Sequence, residues 1–245
     1  EPSTFAALMT AATGTRYAYC HDSLLLQPKA GAEIVACRAL ADADVLAGLI
    51  DRFALAYPGA DRRAVVSLWT LYYFSTLTIA VAVAGLELRR VVPVALDDIS
   101  LCVDPQTAAP QAFLLPHLGQ VRGVLSIEHI LHPMLRQHCE PLIDAMTAHT
   151  GVGRKLLWNN VAAYLNWIVE EIGRTTRQPD FPDAVNAYHA PVWSDGWKNP
   201  LFGLIRPHCG DDGQVCARRK ICCLRYGLPG IGGCGLSCPL PQGRA

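Results

Sequence analysis

Four cysteines fall within seventeen residues near the C-terminal end. Cys222 and Cys223 are adjacent, ten residues intervene, and Cys234 and Cys238 follow with three residues between them. Glycines and prolines fill the gap, so the stretch is neither a helix nor a central strand. A flexible loop that returns two cysteine pairs to one point is what a four-thiolate site requires. Three chemistries compete for such a set. Adjacent cysteines rarely bond each other without strain, which weighs against structural disulfides. Structural zinc favours Cys-x2-Cys knuckles, and the 222/223 pair is not one. Iron–sulfur ligation accepts more varied spacing, and four thiolates suit a 2Fe–2S centre. Spacing alone leaves all three open.

The surrounding residues narrow the choice. Arg218-Arg219-Lys220-Ile221-Cys222-Cys223-Leu224-Arg225-Tyr226, then Leu228-Pro229-Gly230, Cys234-Gly235 and Cys238-Pro239, resemble the C-terminal signature of the FhuF family. That family comprises ferric-siderophore reductases with a 2Fe–2S cluster on a Cys-Cys-x10-Cys-x2-Cys pattern. This chain has one residue more between its last two cysteines, at Leu236-Ser237. Weaker similarity reaches Ser67-Leu68-Trp69, Tyr72-Tyr73 and Leu157-Trp158-Asn159-Asn160, from which no functional role is carried over.

The resemblance implies a 2Fe–2S cofactor on Cys222, Cys223, Cys234 and Cys238. It implies an enzyme that reduces a ferric siderophore, of hydroxamate type, to release Fe(II). Arg218, Arg219, Lys220 and Arg225 would stabilise the more negative reduced cluster or steer an anionic partner; the plainer alternative is that they solubilise the segment. Gly230 to Gly235 match Gly-x-Gly-x-x-Gly, but Pro229 abuts the match and Pro239 forbids a helix just after it. With no nicotinamide or flavin domain recognisable, electrons must come from an external donor such as a ferredoxin, a flavodoxin-like protein or a flavin reductase. The competing reading is a non-catalytic binding module whose cysteines hold structural zinc or a structural cluster.

Other residues carry weaker signals. His129, His132, His138 and Cys139 lie close enough to share a helix face, as a second metal site would need; solvated or core histidines near helix ends are the plainer reading. Cys209 and Cys216 match no ligand spacing and read as free thiols near the cluster or alternative ligands. Trp193 and Trp197 flank Ser194-Asp195-Gly196 in an aperiodic region. They either line a siderophore pocket or pack at an exposed edge.

The elements that must position these residues read as a mostly helical α+β core with a small antiparallel sheet, followed by an irregular iron–sulfur segment. The expected division is a siderophore-binding core, 1–205, and a cluster segment, 206–245. Residues 1–14 read as a short helix or an ordered lead-in, and residues 33–40 read as a strand. Asp42 or Asp44 caps a helix through Ala56, and Asp61 caps a long one. From Ala64 to Leu86 twenty-three residues carry no charge. That length passes the transmembrane threshold, but five Ser and Thr residues dilute the run and arginines flank it, so a buried core helix is expected. The runs 91–96, 99–104 and 112–115 suggest a meander. Over 126–150, Pro133 and Pro141 each read as the start of a helical segment. Leu157, Val161, Leu165, Ile168 and Ile172 form one helical stripe that Gly173 ends. Residues 203–213 read as a linker.

Composition bounds the class. The chain has 245 residues, 51% hydrophobic and 17% charged, with 21 basic against 21 acidic side chains. A sizeable core follows, and a nucleic-acid partner does not. Six of the ten cysteines lie within 209–238, unlike a disulfide framework. With no signal-peptide pattern and no Asn-x-Ser/Thr acceptor, the expected setting is a reducing cytoplasm, with at most peripheral contact with the inner membrane.

Overall fold

Thr4 caps the first helix, α1 (Phe5–Thr13), by accepting the Ala7 N–H at 3.1 Å. The computed structural model describes residues 4–123, 126–175, 189–209, 213 and 215–241. After α1 come β1 (Leu24–Leu25), β2 (Glu33–Ala36), a 3-10 turn (Cys37–Ala41), α2 (Ala43–Ala54) and α3 (Arg62–Leu86). Then follow β3 (Arg90–Val91), β4 (Ser100–Val103), β5 (Pro110–Leu114), β6 (Gln120–Val121), α4 (Ile127–Met134), α5 (Glu140–Thr150), α6 (Arg154–Thr175), β7 (Ile205–Cys209) and β8 (Val215–Arg219). The architecture is mostly helical α+β, as expected. The predicted strand at 33–40 ends at Ala36 and tightens into the 3-10 turn.

The two aspartates expected as caps act as caps. Asp42 accepts from Asp44 N and Val45 N, and Asp61 accepts from Arg63 N at 2.8 Å. Each side chain satisfies N–H groups that the helix itself leaves orphaned. The long uncharged run is the centre of the molecule. One helix among the described residues, Arg62–Leu86, is long and apolar enough to cross a membrane, and 78% of its most apolar window is buried. It is covered by α6, α4, α2 and β5. Trp69 stacks on Tyr73 at 5.3 Å and donates to the Ala108 carbonyl at 2.9 Å.

The sheet has the order β1-β5-β4-β2. β4 pairs antiparallel with β5 and β2, while β1 runs parallel to β5. The run 91–96 does not enter this sheet. Its Val91 joins a separate two-strand ladder with β6, and segments before α2 supply the outer strands.

Two helix boundaries differ from expectation. Pro133 lies inside α4 and does not start a segment. Its missing N–H and its ring are accommodated near the helix end, where the chain widens into a π turn, Leu135–Cys139. Pro141 does sit in the first turn of α5, and Gly151 at φ 69° ends that helix. Gly173 does not stop α6, which continues to Thr175. The predicted linker 203–213 contains β7, which pairs with β8 from Ile205↔Arg219 to Cys209↔Val215.

Candidate metal centre

The β7–β8 hairpin delivers the chain to the cysteine loop, and the two longest helices fix where that loop starts. Lys220 N donates to the Leu204 carbonyl at 2.8 Å, and Ile221 N donates to Asn159 Oδ1 of α6 at 2.7 Å. Ser67 Oγ of α3 donates to the Cys223 carbonyl at 2.7 Å. Asn160 Nδ2 reaches Ser67 O, Ser67 Oγ and Thr70 Oγ1 at 3.2, 3.2 and 2.9 Å. Its other end, Oδ1, accepts from Arg219 Nη2. This buried polar knot explains why uncharged polar residues stand in the middle of the α3–α6 contact. Each would be costly there without its partner.

Leu224 then turns the chain in the left-handed region at φ 63°. For a leucine this costs about 1–2 kcal/mol, and it points the Leu224 N–H at Cys222 Sγ, 3.3 Å away. Two sulfur pairs result. Cys223 Sγ and Cys234 Sγ are 3.2 Å apart, and Cys222 shares a hydrogen bond with Cys238. Cys223 and Cys238 are buried, while Cys222 and Cys234 are half-buried. None of the ten cysteines is joined in a disulfide.

The electrostatics are uneven. The hydrogen bond from Cys234, then the charges of Arg219 and Arg225, pull the Cys223 thiol down to about 5 against burial. Cys234, which keeps the shared proton, is raised for the same reason. Burial pushes Cys222 up to about 11. Arg219 is buried and also donates to the Ile221 carbonyl at 3.3 Å. Arg225 bonds the Tyr164 hydroxyl, yet its buried Nε has no partner among the described residues. Among the described residues no three His, Cys, Asp or Glu side chains converge on one point to hold a single ion. The charges of Arg219 and Arg225 act on the Cys223–Cys234 pair.

A family model described as "Ferric iron reductase FhuF-like transporter" matches residues 67–209, more than half of the chain. The chain belongs to the FhuF-like ferric iron reductase family. The matched span runs from Ser67 in α3 to Cys209 at the end of β7 and stops short of the cysteine loop. A relative described as "Ferric siderophore reductase" from Escherichia coli (strain K12) is 26% identical over 111 residues, 45% of this chain. The alignment spans 40% of that protein's length.

A cleft of about 590 Å³ opens beside Cys234. Leu71, Ser75 and Ile79 of α3 form one wall, and Ala163, Trp167 and Glu170 of α6 form the other. Both sets recur at helical spacing. Ile205, Ala217 and Arg219 of the hairpin close one side, and Arg225 and Cys234 also line it. The cleft depends on residues far apart in sequence, so no local pattern announces it.

The remaining candidates lie elsewhere. Trp193 and Trp197 pack edge-to-face on each other at 4.7 Å, with Arg136 over the Trp197 ring. Trp193 borders a separate depression with His129, His132 and Asp195. His138 is fully buried: Nδ1 donates to the Val94 carbonyl at 2.8 Å, so Nε2 accepts from Tyr73 OH at 2.6 Å. It is a core histidine. Cys216 Sγ donates to the Leu236 carbonyl at 3.7 Å, as does Arg218 Nε at 3.3 Å. Cys209 is exposed at the tip of β7. Sequence reasoning missed the role of Asn159 and Asn160. Their only local signal was two adjacent amides on the buried stripe of a helix.

Proposed function

We propose that this chain is a ferric-siderophore reductase that holds a 2Fe–2S centre on Cys222, Cys223, Cys234 and Cys238. The observation that supports the reading is the pairing of these cysteines, Cys223 with Cys234 and Cys222 with Cys238, with the charges of Arg219 and Arg225 acting on the first pair, in a chain of the FhuF-like family. The donor set fits such a centre. The four thiolates would hold it, and the buried Arg225 Nε, which has no partner among the described residues, would supply a hydrogen-bond donor of the kind that tunes cluster potentials. When bound, the centre supplies one electron at a time, which is what converts Fe(III) to Fe(II).

The chain's own residues do the rest. Ser67, Asn159 and Asn160 hold the backbone of 221–223 in place. Arg219 and Arg225 offset the negative charge that accumulates on reduction. Hard anionic oxygen donors bind Fe(III) far better than Fe(II), so a single electron collapses the affinity and frees the metal with the ligand intact. The substrate in this reading is a hydroxamate-type siderophore, bound by the core of 1–205, while 206–245 carry the cluster. The electron donor is external, a ferredoxin, a flavodoxin-like protein or a flavin reductase. The setting in this reading is the cytoplasm, with at most a peripheral association with the inner membrane; the burial of α3 supports its being a core helix.

The test is the visible spectrum of the purified protein with a metal assay. The reading expects sulfide-to-iron absorption bleached by dithionite and two iron atoms per chain. Colourless protein with stoichiometric zinc would replace it with a structural metal site.

A further inference from the structure

Tyr73 and His138 form a pair that the cysteine site does not use. Both are 0% exposed. The Tyr73 hydroxyl donates to His138 Nε2 at 2.6 Å, and the other ring nitrogen is committed to the Val94 carbonyl at 2.8 Å. The imidazole is thereby held as a neutral base facing a phenol. A backbone carbonyl would satisfy a buried hydroxyl equally well. A base does more, because it gives the proton somewhere to go.

The phenol is also stacked on a second oxidisable ring. Trp69 lies 5.3 Å from it, nearly parallel, while Phe74 and Phe113 stand perpendicular at 5.5 and 4.9 Å. The Cys37 thiol shares a hydrogen bond with the same hydroxyl. Trp69 is 0% exposed and stands two residues after Ser67, whose hydroxyl holds the Cys223 carbonyl. Indole and phenol rings lose single electrons more readily than other ring side chains. A phenol that loses one becomes a strong acid, so a base at hydrogen-bond distance lets electron and proton leave together.

We propose that Trp69, Tyr73 and His138 form a one-electron relay that repairs oxidised sulfur in the cysteine loop and stores the hole as a neutral tyrosyl radical. The oxidant is the hydroxyl radical made when ferrous iron meets hydrogen peroxide. A site that releases Fe(II) faces this hazard, so the physiological role rests on the reductase reading. The hydroxyl radical takes one electron from a loop thiolate and leaves as hydroxide, and the sulfur becomes a thiyl radical. Tyr73 returns one electron through Trp69, and its proton passes to His138 Nε2. The thiolate is restored. One electron from the reductase's external donor, with the proton held on His138, then rebuilds the phenol.

The test oxidises the purified protein, labelled with nitrogen-15 histidine, by flash photolysis of tris(bipyridine)ruthenium(II) with hexaamminecobalt(III) as quencher. Electron paramagnetic resonance reads the product. Radicals at Tyr19 and Tyr226, 58% and 41% exposed, meet one another in solution and decay quickly. The wild type should show a long-lived tyrosyl signal coupled to an imidazole nitrogen. That signal should be lost in Tyr73→Phe and lost or short-lived in His138→Gln, with thermal melts reporting that each variant is folded. The second readout is mass spectrometry of Cys222, Cys223, Cys234 and Cys238 after exposure to ferrous iron and peroxide. Oxidation of these sulfurs should rise severalfold in Tyr73→Phe and in Trp69→Phe. A wild type without a long-lived, nitrogen-coupled signal would overturn the proposal, as would a signal that survives Tyr73→Phe or His138→Gln unchanged. So would sulfur oxidation at the wild-type level in both ring variants. Neither measurement uses a siderophore or an electron donor, so a failure here leaves the reductase reading standing.

Discussion

At Cys223 three kinds of force act on one sulfur. Burial opposes its charge, while the Cys234 hydrogen bond and two arginines favour it, and the balance leaves a thiolate near neutral pH. A ligand already deprotonated binds metal without first losing a proton. Cys223→Ser is therefore expected to abolish or severely perturb the visible spectrum, because an alkoxide is a harder donor with a much higher pKa. The same change at Cys20, Cys37 or Cys102, which lie buried in the core, should leave the spectrum intact. Asn160 works one step back. Asn160→Ala removes the acceptor of Arg219 and the donor to Ser67 and Thr70 together. We expect a loss of about 1–3 kcal/mol in denaturant unfolding, with a shifted reduction potential in whatever centre still assembles. An unchanged potential would mean that Asn160 serves packing alone.

At the scale of elements, the extra residue of the last cysteine interval has a definite form. Gly235, Leu236 and Ser237 make a 3-10 turn in which Cys238 N–H donates to the Gly235 carbonyl at 3.0 Å, and Gly235 adopts φ 56°. The Leu236 side chain is 48% exposed, but its carbonyl is gripped by Arg218 and Cys216. Removing Leu236 breaks that grip and re-aims backbone N–H groups near Cys238. Protein-film voltammetry should find a centre in both forms at different potentials; coincident values would make the turn an inert surface loop. Much at this scale is legible in the sequence. Asp42 and Asp61 announce their helices because a cap is a local device, and the 64–86 run announces a core helix. The β7–β8 hairpin is not legible: β7 contains Pro207, both strands are short, and only pairing across a loop makes them strands. Pro133 misleads because its tolerance depends on the π turn after it. Asn159 and Asn160 acquire meaning only once α6 packs on α3.

At the scale of the whole molecule, His138 ties α3, the π turn and the segment after β3 into one core. Burial depresses it to about 4, so the folded state holds it neutral while the unfolded chain protonates near 6.5. Stability from this group is present in full above pH 6.5 and is lost as pH falls towards 4, by about 3 kcal/mol in all. Thermal melts across that window should show the slope, and His138→Gln should flatten it by about one proton; an equal slope in the variant would assign it to other histidines. The account's central claim concerns the place where the cysteine loop meets the cleft. The measurement that tests it most directly is anaerobic mixing of the dithionite-reduced, desalted protein with a ferric trihydroxamate while absorbance and ferrous iron are followed together. The account expects the oxidised spectrum to return with one Fe(II) released per electron stored; a reduced spectrum that persists with no ferrous iron formed would contradict it.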